Sequence, residues 1–264
     1  DCETPLVGPF CHACGQRDEP PDLPLRRVLS EALGDLLAWD GRVLQTGRTL
    51  LRAPGQLASD WAAGRRSRHV APIRLYLLCS LVFVALSGGY AVTKGLTLDV
   101  AAEDAAEQEE LRENLSRVLP TAKIDAVVVY LNAMSTLGSQ WFFVLMPLGG
   151  FGLFVLYGLR RRSYPAHFVL AIHVFCVAIL LLAARRAIQT GVLLAMGEKS
   201  GTLNIALLLG AFAVAYVYAA LSIRRFYGVG WVKAIASAPA VTVGPVAAWV
   251  ALISTGMVLI LAWP

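Results

Sequence analysis

LYLLCSLVFVALSGGYAV, residues 75–92, extends with Thr93 to nineteen consecutive residues without a charge. At about 1.5 Å per helical residue the run crosses a hydrocarbon core of about 30 Å. Similar runs follow it. LGSQWFFVLMPLGGFGLFVLYGL, residues 137–159, stops at Arg160-Arg161-Arg162, and residues 167–184 stop at Arg185-Arg186. Residues 203–223 stop at Arg224-Arg225, and residues 234–263 form a last run. With the first span taken as 73–93, the pattern predicts an all-α integral membrane protein with about five transmembrane helices. Ile124–Met134 is too short to cross and predicts an interfacial or packed helix within the extracytoplasmic loop 94–135.

Composition agrees. Of 264 residues 57% are apolar and only 16% charged, with mean hydropathy +0.61. Soluble domains are about 45–50% apolar and about one quarter charged, so a water-soluble enzyme is excluded and the excess faces lipid. The net charge of +5 follows topology rather than nucleic acid. With a cytoplasmic N-terminus, sixteen of the 23 Lys and Arg fall inside and seven outside. The inside groups lie close to span ends, which gives N-in, C-out. No cleavable signal precedes the first span, so that span is expected to serve as the targeting element.

The first seventy residues form a head in two parts, 1–20 and 21–70. PFCHACGQ has the form of a zinc-ribbon knuckle, with Cys11 and Cys14 spaced to grip one ion above the turn at Gly15. Cys2 is a third ligand, and a tetrahedral site needs a fourth. A cysteine upstream of Asp1 would complete a ribbon, His12 is the fallback, and reduced thiols without metal are the alternative. After a Pro-rich linker, Leu25, Val28, Leu29, Ala32, Leu33, Leu36 and Leu37 recur on one helical face. A second stretch sets Val43, Leu44, Leu50 and Leu51 opposite Arg42, Arg48 and Arg52. GQLASDWAAG then leads into the membrane-surface basic patch Arg65, Arg66, Arg68 and His69. Apolar stripes flanked by arginine, just before a span, lie in the membrane interface or dock on the bundle.

Several of these segments together resemble a bacterial family of unknown function, number 3667. They are FCHACGQ, LLRAPGQLASDW, GRRSRHVAPIRLYLLCS, YPAHFVLAIHVF and RRFYGVGW. The resemblance implies a multi-pass membrane protein with a Cys-rich knuckle and no established reaction. Five spans after an amphipathic segment also give a looser, fold-level similarity to Yip1-like membrane proteins.

Polar groups in hydrocarbon cost several kcal/mol unless partnered, which makes those inside spans functional candidates. His167 and His173 lie six residues apart, on opposite sides of one helix, so they cannot share a metal ion. Cys176 reads as a small packed hydrophobe. Arg185 and Arg186 read as interfacial anchors, as a structural ion pair with Glu198 or the acids 103–113, or as a guanidinium site for lipid phosphate. Two spans carry breaks: Pro147 with Gly149 and Gly150, and Pro239 with Gly244 and Pro245. Each is expected to kink its helix, and either helps packing or borders a cavity. Ala211, Ala215 and Ala219 form a small-residue ridge suited to close helix contact.

Nucleotide loops, zinc-protease helices, nucleophile elbows and intramembrane carboxylates are missing from the sequence. Three functions stay open. They are a non-enzymatic module binding protein or lipid and assembling as a homo-oligomer or with a membrane partner, a passive transporter, and an intramembrane lipid-modifying enzyme.

Overall fold

The computed structural model describes residues 4, 8–13, 15, 41–97, 109–117, 119–120, 123–130, 142–158, 163–196 and 201–262. The helices named are α1 (Arg42–Arg52), α2 (Gln56–Ala62), α3 (Pro72–Thr97), α4 (Phe142–Tyr157) and α5 (Tyr164–Met196). They continue with α6 (Gly201–Tyr227), α7 (Trp231–Ser237), α8 (Pro239–Thr242) and α9 (Gly244–Ala262). Cys2, Cys14, the stripe 25–37, Arg160–Arg162, the acids 103–108 and Glu198 lie outside the described residues.

The protein is an all-α membrane protein. Among the described residues, four helical stretches are long and apolar enough to cross a bilayer: Pro72–Lys94, α5, α6 and the run Trp231–Ala262. The second predicted span is represented by α4, whose 16 described residues rise about 24 Å. Helix α5 is the core of the bundle and packs against α3, α4 and α6. Its most apolar stretch is 72% buried, against 6% for the last span, which leaves that span to face lipid. Small residues Ala166, Ala171, Cys176 and Ala183 along α5 let neighbours approach on several sides.

Two spans differ from the sequence expectation. The third is expected to end at Arg185-Arg186, yet α5 continues for ten residues past Arg186 to Met196. Arginine is a good helix former, so a charge pair that ends an apolar run need not end a helix. At about 50 Å, α5 is longer than the hydrocarbon core is thick. Pro147 lies inside an uninterrupted α4 rather than at a break. In the last span, Ala238 and Val243 separate α7, α8 and α9 but keep right-handed helical angles. Val243 N–H still donates to the Pro239 carbonyl at 2.9 Å, and Ala247 N–H to Val243 at 2.8 Å. The lost bonds around Pro239 and Pro245 are therefore absorbed locally.

Helices α1 and α2 form a hairpin turned at Ala53-Pro54-Gly55, where the residue before proline leaves helical geometry. The hairpin docks on the bundle. Tyr218 of α6 donates its hydroxyl to the Leu50 carbonyl at 2.9 Å, and Val70 N–H donates to Thr46 Oγ1 at 3.0 Å. Leu50, Leu57, Ala58 and Trp61 join the main core. The apolar stripe expected on α1 is split, because Leu50 turns inward while Leu44 and Leu51 stay exposed beside Arg48 and Arg52. Gly55 takes φ +77° against α6, and a Cβ there would lie 2.6 Å from the Ser222 carbonyl oxygen.

The loop after α3 includes helical segments 109–116 and 123–130. The second is the expected short packed helix. Ile124, Val127 and Val128 are buried, and Tyr130 donates to the Ile253 carbonyl of α9 at 3.0 Å.

Candidate functional site

The polar side chains of the bundle gather along three seams. The first joins the α1–α2 hairpin to the membrane helices. Asp60, buried on α2, accepts from Arg65 Nε at 3.1 Å, Arg65 Nη2 at 2.7 Å and Gln56 Nε2 at 2.9 Å. Its second oxygen lies 3.5 Å from His69 Nε2. His69 is in turn within electrostatic range of His173 on α5. Arg66 stacks on the Trp61 ring at 4.3 Å. The basic patch expected to face the membrane surface is thus partly folded inward. Arg65 and His69 answer Asp60, and Arg66 covers Trp61. Cys79 (α3) and Cys176 (α5) are neighbours across the α3–α5 interface, and both are buried.

The second seam lies where α5 begins and α6 ends. His167 Nδ1 meets the Tyr227 hydroxyl at 2.5 Å, while Phe154 presents its edge to the imidazole. Tyr227 stacks flat on Tyr157 at 3.8 Å, and Tyr157 donates to Ser237 Oγ at 2.9 Å. This chain ties α4, α5, α6 and α7 together through buried, satisfied groups. His167 and His173 serve different seams, as their six-residue spacing requires.

The helix breaks meet between these seams. A Cβ on Gly149 would sit 3.1 Å from the Phe175 ring and 3.5 Å from Pro245, and one on Gly150 2.9 Å from the Phe168 Cα. At Gly152 it would sit 2.9 Å from the Ala240 carbonyl oxygen. The glycines of α4 therefore bring its backbone against α5 on one side and against the broken last span on the other. Gly244 lies beside Pro239, 3.4 Å from its carbonyl oxygen by the same measure. At these positions the breaks close on protein.

The third seam lies toward the opposite end of α5. Arg185 donates to Asn204 Oδ1 at 2.8 Å, Arg186 to Gln189 Oε1 at 3.2 Å, and Gln189 to Asn204 Oδ1 at 2.6 Å. Arg186 also covers the Tyr90 ring at 5.0 Å. Among the described residues neither guanidinium has a carboxylate partner, and both Nε atoms are shielded from solvent without a hydrogen bond. Among the described residues these two adjacent cations are held by neutral amides and a ring, which leaves donors suited to an anion.

Near the N-terminus, Cys11 is buried and Gly15 donates its N–H to the Cys11 carbonyl at 2.8 Å, with φ +72° at Gly15. This is the tight turn that the knuckle reading requires. Among the described residues no three His, Cys, Asp or Glu side chains gather to hold a metal ion.

Asp60, Tyr227, Gln189 and Asn204 are polar partners that the sequence reading missed. Asp60 carried one usable signal: a single acid on a short apolar helix, four residues after Gln56 and five before Arg65. The others are neutral, and partners contributed by separate helices leave no spacing pattern.

No curated protein and no solved structure matches the chain. Residues 40–84 do match a family, and they span the docked hairpin, the Asp60 seam and the first half of α3. The matching family model is that of DUF3667, described as a protein of unknown function, and the likeness is confined to these residues.

Proposed function

We propose that the protein is a non-enzymatic, multi-pass module of the bacterial inner membrane that engages phospholipid through Arg185 and Arg186. What supports it is the guanidinium pair on a membrane-spanning helix, without a carboxylate partner among the described residues. Guanidinium forks match phosphate oxygens bidentately, and desolvation at a bilayer boundary strengthens the pairing. Several other polar groups described in the bundle are used on packing: His167 on Tyr227, Tyr157 on Ser237, and Asp60 on Arg65. Closure of the glycine breaks on Phe168, Phe175 and Ala240 favours a packed module over a conduit. The basic bias of the segments before α3 and after α6 supports a cytoplasmic N-terminus, which sets Arg185 and Arg186 toward the outer leaflet. Purified chain is expected to retain phospholipid, and Arg185→Gln/Arg186→Gln to lose most of it; equal retention by both would contradict the reading.

The same reading includes a structural zinc in the head. Cys2, Cys11 and Cys14 would hold it with one further ligand, and the Cys11–Gly15 turn fits a thiolate knuckle. Zinc would supply folding energy to the head and no chemistry. Metal analysis of the intact chain is expected to find about one zinc per chain, as a closed tetrahedral site requires. Absence of zinc from chain kept fully reduced would remove the ribbon.

A further inference from the structure

We propose that a second phosphate-binding site lies at the opposite end of the bundle from Arg185, in the cavity between the hairpin turn and the end of α6. The cavity is an open one of about 390 Å³, lined by Pro54, Leu221, Arg224, Arg225, Gly228 and Val229. That volume falls in the range of small-ligand sites, which begins at about 300 Å³. Two exposed arginines border it. Arg224 is steadied by the Trp231 ring, whose face lies 4.3 Å from its guanidinium carbon. A ring orients a guanidinium without using its N–H donors, which stay available for an anion. Among the described residues no carboxylate pairs with Arg224 or Arg225. This contrasts with Arg65, Arg112 and Arg117, each of which has one.

The walls are built rather than incidental. Gly55 holds the hairpin turn against the Ser222 main chain, which places Pro54 over the end of α6. Gly228, at φ +63°, turns the chain sharply after Tyr227. The ligand class is a phosphomonoester or phosphodiester, from an anionic lipid headgroup or a soluble phosphoanion. The site rests on the lipid-module reading only for the source of that phosphate, not for its own geometry.

Thermal unfolding of the full chain tests the proposal with two probes. One is inorganic phosphate, compared with chloride at equal ionic strength, on chain in neutral detergent. The other is phosphatidylglycerol, compared with pure phosphatidylcholine, in nanodiscs. A probe at tenfold its dissociation constant is expected to raise Tm by about 3 °C. A rise with the nanodisc lipid alone assigns the site to a headgroup, with inorganic phosphate alone to a soluble anion, and with both to the phosphate whatever its source. Arg224→Gln/Arg225→Gln is expected to abolish the rise, and Leu221→Trp to do so by filling the cavity while both arginines remain. No rise with either probe, or a rise surviving both variants, overturns the site. Loss of the rise in Arg185→Gln/Arg186→Gln alone moves the anion to that pair, which also overturns the site but leaves the lipid-module reading standing. A rise that depends on Arg224 and Arg225, beside lipid retention indifferent to Arg185 and Arg186, supports the site and removes the earlier reading.

Discussion

Replacing Gly55 by alanine is expected to release the α1–α2 hairpin from the bundle. The position combines two demands that only glycine meets here. Its φ of +77° is left-handed, which costs a residue with a Cβ about 1–2 kcal/mol. The new methyl would also sit 2.6 Å from the Ser222 carbonyl oxygen and 2.9 Å from its Cα, both main-chain atoms that cannot turn aside. Forced overpacking of this sort costs about 1–3 kcal/mol. The combined cost, about 2–5 kcal/mol, falls on one contact between hairpin and α6. Limited proteolysis in detergent is expected to cut G55A within 41–71 while α5 and α6 stay intact. Gly64→Ala is the internal control, because Gly64 has φ +79° with open space around it and carries only the conformational cost. If the two variants are cut equally slowly, Gly55 is not a docking contact.

A leucine at Gly150 is expected to separate α4 from α5. The Cβ alone would lie 2.9 Å from the Phe168 Cα and 3.3 Å from its nitrogen, so two helix backbones must move apart to admit it. Moving them disturbs Gly149 against Phe175 and the Tyr157–Tyr227 stack farther along α4. Overpacking at this depth costs about 1–3 kcal/mol, and loss of the neighbouring contacts adds to it. The variant is expected to unfold at lower temperature and to expose Cys176, buried on α5, to thiol reagents at temperatures where the wild type protects it. Gly89→Ala, on α3 with nothing within 4 Å, is expected to be neutral or slightly stabilising through helix propensity. A G150L chain as stable as G89A would show that α4 does not pack closely on α5.

The spans were legible because hydrocarbon thickness imposes a length that uncharged runs must match, and Leu75–Thr93 announces the class on that ground alone. Their ends were less legible. Arg185-Arg186 ended an apolar run without ending a helix, since the bilayer selects against charge while helix propensity does not. Pro147 and Pro245 left packing and a cavity equally open, and the glycines after Pro147 let α4 press on Phe168, Phe175 and the last span. The hairpin was seen as amphipathic, but its docking depends on Gly55 meeting Ser222 across 167 residues, and no local pattern encodes that. The candidate site was half legible. Arg185, Arg186, His167 and His173 were named from residue type alone. Their partners Asn204, Gln189 and Tyr227 are neutral residues brought in by other turns of the fold.

The lipid-module reading is tested most directly by native mass spectrometry of the full chain released from membranes in mild detergent. Wild-type chain is expected to carry at least one tightly held phospholipid, seen as a discrete mass increment that persists at activation energies that strip detergent. Arg185→Gln/Arg186→Gln is expected to lose that increment while keeping the wild-type helix content by circular dichroism. A wild-type chain that flies free of lipid, or a double variant that retains the same increment, would contradict a phosphate-binding role for this pair.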